Sequence, residues 1–218
     1  VKLGSSTALA CAVVRGLTEC AQLLLDGKAD IEATDYYDNT PLNLAANCGV
    51  EECMQLLINA KAVINTRNNF DYTPLIQASC FGHADCMSLL LNAKADVEAK
   101  DKNDATALIN AVKSGDRRSI KVMIDAKADL EAKDLTGLTA LSCAVAYHRP
   151  KCVQLLLKAK ADIEAEDKNG RTALMLATAA GSLECVKLLA AASTIAEQRS
   201  ERKRRRATDA AQPRKQRR

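Results

Sequence analysis

The chain is poor in several residue types on which common protein functions depend. Its 218 residues include no tryptophan, only six aromatic residues and only two histidines. No apolar run approaches the roughly 18 residues that a membrane-spanning helix requires, so we expect no membrane contact. The motifs include no Ser/His/acid set, no glycine-rich phosphate loop and no Cys/His metal spacing. We therefore expect no enzymatic activity, no cofactor and no bound metal.

A fixed period of 33 residues organises the chain instead. Threonine recurs at this spacing at Thr7, Thr40, Thr73, Thr106, Thr139 and Thr172. A threonine hydroxyl before an apolar segment is well suited to cap the first turn of a helix. Pro41 and Pro74 follow directly, at the first helical position, where the missing N–H costs nothing. A period of this length is typical of stacked repeat proteins, in which each repeat contacts only its neighbours.

The rest of the period predicts a second helix and an extended connection. Glycine marks a turn after the first helix at Gly16, Gly49, Gly82, Gly115 and Gly181. The second helix carries paired leucines near its end, as in Leu89-Leu90. A polar stretch such as residues 161–165 then leads to the next threonine. Each period therefore predicts two short helices followed by a loop.

This pattern resembles the ankyrin repeat, which consists of a β-hairpin loop and two antiparallel helices. The matching residues are Thr-Pro-Leu at 40–42 and 73–75, Gly82-His83, Leu155-Leu156-Leu157, Ala161-Asp162-Ile163, and Asp167 with Gly170. The resemblance covers residues 7–192, as repeats 7–39, 40–72, 73–105, 106–138, 139–171 and a shortened 172–192. It implies an all-α repeat solenoid of about six stacked helix-turn-helix units, joined by β-hairpin or loop connections.

Two segments are expected on this basis. Residues 1–192 form the ankyrin repeat domain, and residues 193–218 form a helical extension followed by a basic, disordered tail. The helix is expected to continue over residues 190–196 and to cover the last apolar face. Because the chain begins with Val1 inside a repeat, we expect it to be a fragment or a processed piece of a longer protein.

The chain departs from the family pattern at three repeat positions. The family's histidine after Thr-Pro-Leu is absent, which puts hydrogen bonding between repeats in doubt. The glycine that usually ends the second helix is replaced by Lys28, Lys61, Lys94, Lys127 and Lys160. A left-handed residue other than glycine costs roughly 1–2 kcal/mol, so either the cap differs or something offsets the cost. The family's hairpin asparagine becomes Glu32, Glu98, Glu131 and Glu164, with Asn65 as the exception.

The nine cysteines are interpreted as small core residues in a reducing compartment. Cys20, Cys53, Cys86, Cys152 and Cys185 share one repeat position, and Cys11 and Cys143 share another. Stacked helices lie about 8–10 Å apart, whereas a disulfide needs Cα atoms within about 4.4–6.8 Å. Cys48 and Cys80 fall in the variable region, where exposure and a redox role are alternatives.

The aromatic residues indicate where a partner binds. None of them occupies a core position: Tyr36 and Tyr37 fall on the first hairpin tip, and Phe70 and Tyr72 on the second. In ankyrin proteins these positions face the partner, and aromatic residues are preferred binding anchors. The full set predicted to contact a protein or peptide partner, through hairpin tips and the concave face, is Tyr36, Tyr37, Asp38, Asn47, Asn69, Phe70, Tyr72, Phe81, Lys102, Lys113, Leu135, Leu138, Tyr147, Lys168 and Arg171.

Two interpretations of the first two tips stay open. The four rings form a partner site together with Asp35, Asp38 and Asp71, which would make the patch both aromatic and acidic. Alternatively, the rings pack on each other and only stiffen the hairpins.

The end of the chain is strongly basic. Residues 199–218 hold ten Lys or Arg against two acids, a net charge of +8, so the remainder of the +4 chain carries −4. The clusters include Lys203, Arg204, Arg205, Arg206, Arg214 and Lys215. Such clusters are typical of a nuclear import signal read by an importin, of weak phosphate contact with nucleic acid, or of a solvated terminus.

Taken together, the sequence predicts a non-enzymatic, monomeric scaffold for protein–protein interaction, in the cytoplasm or the nucleus. The alternatives are a structural spacer within a longer protein and a nuclear regulator that contacts nucleic acid through its tail.

Overall fold

The structure, a computed structural model, describes residues 7–194. Eleven helices have both ends within these residues, and a further helix runs from 183 to the last described residue, 194. The helices are α1 (Ala8–Val14), α2 (Thr18–Asp26), α3 (Pro41–Cys48), α4 (Glu51–Asn59), α5 (Pro74–Phe81), α6 (Ala84–Asn92), α7 (Ala107–Ser114), α8 (Arg117–Asp125), α9 (Ala140–Ala146), α10 (Pro150–Lys158) and α11 (Ala173–Ala179). The predicted all-α repeat fold is confirmed.

The recurring threonines cap the first helix of every repeat, as predicted. In all six, the side-chain oxygen accepts a hydrogen bond from the N–H three residues further on. Thr40 forms a reciprocal capping box with Asn43. Because each cap is formed within four residues, the threonine register fixes where these helices begin.

The second helix of each of the first five repeats ends in a left-handed residue, and that residue is a lysine. The φ angles are 61° at Lys28, 69° at Lys61, 67° at Lys94, 64° at Lys127 and 69° at Lys160. At Lys94, the N–H of Lys94 donates to Leu91 O, and the N–H of Ala95 donates to Leu90 O. This pair of hydrogen bonds is a Schellman motif, and it recurs at the other four lysines. These helices therefore end in the cap geometry that usually requires glycine, with lysine at the left-handed position.

The helices form two layers along the stack. α1, α3, α5, α7, α9 and α11 pack against one another in sequence, and α2, α4, α6, α8 and α10 form the second layer. Leu42, Leu75, Leu108 and Leu141 share one repeat position in the inner layer and are fully buried. No helix within residues 7–194 is long and apolar enough to cross a bilayer.

The absence of the family's histidine put hydrogen bonding between repeats in doubt. Glutamate side chains form such hydrogen bonds in this chain. Glu32 accepts the N–H of Val63 at 2.8 Å, and Glu98 accepts the N–H of Asp129 at 2.8 Å. Glu131 accepts the N–H of Asp162 at the same distance. Asn65 does the same for Asp96. In each of the first four repeats, one side chain therefore ties the loop to the backbone of the next repeat.

The cysteine predictions hold inside the stack and fail at its N-terminal end. Cys53, Cys86, Cys143, Cys152 and Cys185 are buried, whereas Cys11 and Cys20 are exposed, so the core assignment was wrong for these two. Cys53 Sγ lies 3.5 Å from Thr18 Oγ1 of the preceding repeat, which covers this repeat position from the N-terminal side. Within residues 7–194, Cys20 has no such preceding repeat.

The variable-region thiols differ in exposure. Cys48 is exposed, while Cys80 is partly buried. Burial, together with the nearby Asp101 carboxylate, raises the pKa of the Cys80 thiol to about 11. Since the thiolate is the reactive form, this shift disfavours the redox role considered for Cys80.

Candidate functional site

Each hairpin tip is built around one Asp or Asn side chain. Asp35 Oδ1 accepts the backbone N–H of Tyr37 at 2.8 Å and of Asn39 at 2.9 Å. The same pair of hydrogen bonds is made by Asn68, Asp101, Asp134 and Asp167 in the following tips. Asp35 is therefore a turn-forming residue, and its membership of an acidic binding patch stays a prediction. Asp38 is exposed and left-handed, with φ 57°.

Neighbouring tips are joined through their backbones. The N–H of Asn69 donates to Tyr37 O at 2.9 Å, and that of Lys102 donates to Phe70 O at 3.3 Å. The N–H of Leu135 donates to Asn103 O at 2.8 Å, and that of Lys168 to Thr136 O at 3.4 Å. Four predicted contact residues thus form the joints of one continuous edge, and all four side chains are exposed.

The four aromatic residues of the first two tips lie in contact and are called the tip cluster here: Tyr36, Tyr37, Phe70 and Tyr72. Tyr36 and Tyr37 meet edge to face, with ring centroids 5.2 Å apart. Tyr37 and Phe70 stack across the two repeats at 6.2 Å, and Phe70 and Tyr72 lie 5.9 Å apart. The structure thus brings together all four residues that the sequence placed on adjacent tips.

The cluster has an exposed part and an anchored part. Tyr36 is 66% exposed, Tyr37 51% and Phe70 50%. Tyr72 is partly buried and packs against the hydrophobic core, and this burial raises the pKa of its hydroxyl. Three rings are therefore exposed, while Tyr72 packs on the core and contacts the ring of Phe70.

A buried polar network, which sequence analysis missed, joins the first two tips beneath this cluster. Asn39 Oδ1 accepts from Asn68 Nδ2 at 2.8 Å and from Gln77 Nε2 at 3.2 Å. Gln77 Oε1 in turn accepts from Asn43 Nδ2 at 2.9 Å. The available signal was the polar residue at positions 43 and 77, where most other repeats carry an apolar residue or cysteine and the exceptions are Ser142 and Asn110.

Several other predicted contact residues are engaged within the fold. Lys113 Nζ lies 3.3 Å from Asp134 Oδ2, and Arg171 lies 2.7 Å from Asp167 Oδ2. The carbonyl oxygen of Asn47 lies 3.2 Å from His83 Nε2. Leu138 is partly buried against the core. All four residues already make contacts within the fold. They are therefore less suited to binding a partner than the exposed residues of the tips.

Phe81 and Tyr147 lie at the C-terminal ends of inner helices and not on hairpin tips. Phe81 is 57% exposed, and its ring stacks on His83 with centroids 6.3 Å apart. Tyr147 is 48% exposed and forms the C-cap of α9. Both stay candidates for contact, but neither lies in the tip cluster.

Asp134 is the most heavily bonded of the tip carboxylates. Burial alone would raise its pKa, but hydrogen bonds from Thr136 and Leu138 and the Lys113 ammonium hold the pKa of Asp134 below its usual value. Its oxygens accept from Thr136 N at 2.9 Å and Leu138 N at 3.2 Å. The charged form is therefore the one that the folded chain stabilises.

We expect Asp134→Asn to lower the free energy of unfolding by about 1–3 kcal/mol at pH 7, because charge-assisted hydrogen bonds are lost. A carboxyl with a depressed folded-state pKa contributes stability above its unfolded pKa of about 3.9 and loses it as the pH falls through the folded value. The difference between the two proteins should therefore shrink as the pH falls below about 4. Urea unfolding across this range measures it, and an equal difference at every pH would show that the carboxylate charge contributes nothing.

Within residues 7–194, no three His, Cys, Asp or Glu side chains are grouped so as to hold a metal ion. The predicted tail residues Lys203, Arg204, Arg205, Arg206, Arg214 and Lys215 lie outside the described residues.

Comparison with known proteins agrees with this architecture. The structure is similar to the crystal structure of the ankyrin repeat domain of Bcl-3, described as a unique member of the IkappaB protein family. The TM-score is 0.80 and the sequence identity 27%, over 87% of each chain. No curated protein sequence gives a significant match. The profile described as "Ankyrin repeats (3 copies)" matches residues 2–68, 60–134 and 108–200. With most of its length covered by these matches, the chain belongs to the ankyrin repeat family of protein-interaction domains.

Proposed function

We propose that this chain is a non-enzymatic scaffold that binds a protein or peptide partner through its hairpin tips, with the tip cluster as the anchor. The observation that carries the proposal is the contact between Tyr36, Tyr37 and Phe70, each of which keeps half or more of its surface exposed. Large exposed apolar patches on a folded surface are typical of interaction sites.

Hydrogen bonds around the tip cluster hold its two turns in fixed positions. The carboxylate of Asp35 and the amide oxygen of Asn68 fix the two turns, and the Asn69 N–H joins one tip to the next. Binding by a preorganised surface loses little conformational entropy, which leaves more of the contact energy for affinity. Aromatic rings add area at low entropic cost and are enriched among binding hot spots.

The charge and polarity of the exposed side chains change from tip to tip along the edge formed by the hairpin tips. Lys102 and Lys168 are exposed cations at later tips, and Leu135 is 48% exposed between them. A partner that covers the whole edge would meet an aromatic end first and a basic, partly apolar end second. This mixed polarity favours an extended partner segment over a small apolar ligand.

We expect the triple variant Tyr36→Ser, Tyr37→Ser and Phe70→Ser to lose at least about tenfold in capture of partners from cell lysate, since each hot-spot ring contributes of the order of 1–2 kcal/mol. Tyr72 is kept in this variant because it packs on the core. Affinity capture followed by mass spectrometry gives the measurement, and circular dichroism checks that the melting curve is nearly unchanged.

Leu23→Ser is the matched control, because Leu23 is 70% exposed but lies in α2, on an outer helix. Capture by this control should equal that of the unaltered chain. If the triple variant captures the same proteins as the control, the tip cluster is not the anchor.

The ring contacts also support the alternative that the cluster only stiffens the hairpins of a structural spacer. Under that alternative the triple variant loses thermal stability and no partner. The two interpretations therefore give opposite results in the same pair of measurements.

A further inference from the structure

Charge is distributed unevenly along this chain. Residues 7–105 hold seven Lys or Arg against fourteen Asp or Glu, a net charge of −7. Residues 106–194 hold thirteen against ten, a net charge of +3, and residues 199–218 carry +8. The tip cluster lies in the acidic half, so its field favours cationic partners at low ionic strength.

The groups immediately around the cluster have the same sign. Asp35, Asp38 and Asp71 belong to its two tips. Two cations lie close to the same tips: Arg67, whose Nη1 donates to Asp71 O at 3.2 Å and to Lys100 O at 2.7 Å, and Lys102, whose backbone N–H donates to Phe70 O at 3.3 Å. Three carboxylates against these two cations leave the site net negative, beside exposed ring faces on which a guanidinium can stack.

We propose that the tip cluster binds the basic segment 199–218 of the same chain, which thereby competes with an external partner. This inference rests on the proposed function, because it assigns a second occupant to the same surface. The segment supplies ten cations and two acids, which matches the acidic, aromatic character of the site. Guanidinium groups combine charge with a planar face, so they suit a surface of rings and carboxylates.

The length of the chain permits this contact. Residue 194, the last described residue, lies in the helix that begins at 183, about four repeats from the second tip. At about 10 Å per stacked helix, that separation is roughly 40 Å. The 24 residues from 195 to 218 span at most about 80 Å when extended. About half of them are needed to bridge the separation, so the cations that reach the tips are those near the end of the chain: Arg214, Lys215, Arg217 and Arg218. The tether makes the encounter intramolecular, at an effective concentration of the order of millimolar, so a weak contact is enough for occupancy.

The test uses a full-length chain in which each of the ten Lys and Arg residues of 199–218 is replaced by Gln. A fluorescent peptide with the natural sequence 199–218 is titrated into this neutral-tail chain, and fluorescence anisotropy measures binding. We expect a Kd of tens of micromolar or tighter at about 50 mM salt, weakening about tenfold or more at about 300 mM, as charge screening requires. Adding Tyr36→Ser, Tyr37→Ser and Phe70→Ser to the same chain should weaken binding about tenfold, as expected for loss of hot-spot rings.

The unaltered chain reports whether its own tail occupies the site. We expect it to bind the peptide at least about tenfold more weakly than the neutral-tail chain does, because the tethered segment competes. A peptide with Gln at all ten basic positions is the matched control and should not bind.

Three outcomes overturn the proposal. Equal binding by the unaltered and neutral-tail chains means that the tail does not occupy the site. Equal binding by the triple variant means that the peptide binds elsewhere. Concentration-dependent dimers of the unaltered chain, seen by light scattering and absent in the neutral-tail chain, mean that the tail binds a second copy instead. None of these outcomes tests the proposed function. That is tested separately, by whether the triple variant loses capture of partners from cell lysate.

Discussion

Replacing Lys28, Lys61, Lys94, Lys127 and Lys160 together by glycine is expected to raise the free energy of unfolding by about 3–5 kcal/mol, because each lysine occupies a left-handed conformation that costs roughly 1–2 kcal/mol. Glycine adopts this conformation without a Cβ clash but also gains freedom in the unfolded chain, so the net gain per site is nearer about 1 kcal/mol. All five side chains are exposed, so little packing is lost. For a chain of this size the melting temperature should rise by about 10 °C.

The matched control lies in the same helix as one of these caps. Lys121 is exposed within α8, and Lys127 follows the end of that helix with φ 64°. Lys121→Gly should lower stability by about 1 kcal/mol, as expected for glycine in a helix interior, while Lys127→Gly should raise it. Chemical unfolding followed by circular dichroism compares the two. Should Lys127→Gly destabilise the chain as Lys121→Gly does, the left-handed cap is not a source of strain.

The second large effect is expected at Gly137. Gly137 has φ 82°, and a Cβ at this position would lie 2.7 Å from the backbone N of Lys168 in the next tip. That nitrogen donates the joining hydrogen bond to Thr136 O. Gly137→Ala therefore adds a clash to the backbone strain, and we expect it to cost about 2–4 kcal/mol.

Gly170 holds the same repeat position one tip later and separates the two contributions. Its φ is 69°, and the nearest atom to an added Cβ is Glu166 Oε2 at 3.9 Å. Gly170→Ala should therefore cost only about 1–2 kcal/mol, the strain of the left-handed conformation. Hydrogen exchange at the Lys168 amide should accelerate in Gly137→Ala and not in Gly170→Ala. Equal costs for the two substitutions would mean that the joint between tips contributes little.

The helices were predictable because the interactions that start them are local. Each capping threonine bonds to an N–H three residues away, so a single 33-residue sequence pattern carries the whole signal. The buried leucines follow from the same register. The two cysteines that were wrongly assigned to the core, Cys11 and Cys20, have the same local sequence position as buried ones and differ only in the neighbours that cover them.

The candidate site was predictable in part. Tyr37 and Phe70 were placed on adjacent tips by register alone, and their 6.2 Å stacking agrees with that placement. The roles of Tyr72 and Lys113 were not predictable. The exposure of Tyr72 depends on the packing of its tip against the hydrophobic core. Lys113 is paired with the carboxylate of Asp134, which lies 21 positions away in the sequence. Whether these residues contact a partner stays a prediction.

The amino-acid order alone specified the repeat, the helix starts, the buried leucine row and the line of aromatic residues along one edge, because each depends on interactions within a few residues or on strict periodicity. The stacking of repeats decided which equivalent residues are covered and which charges are paired. Those outcomes depend on contacts between side chains about one period apart, such as Asn43 with Gln77, and their geometry exists only once neighbouring repeats have packed.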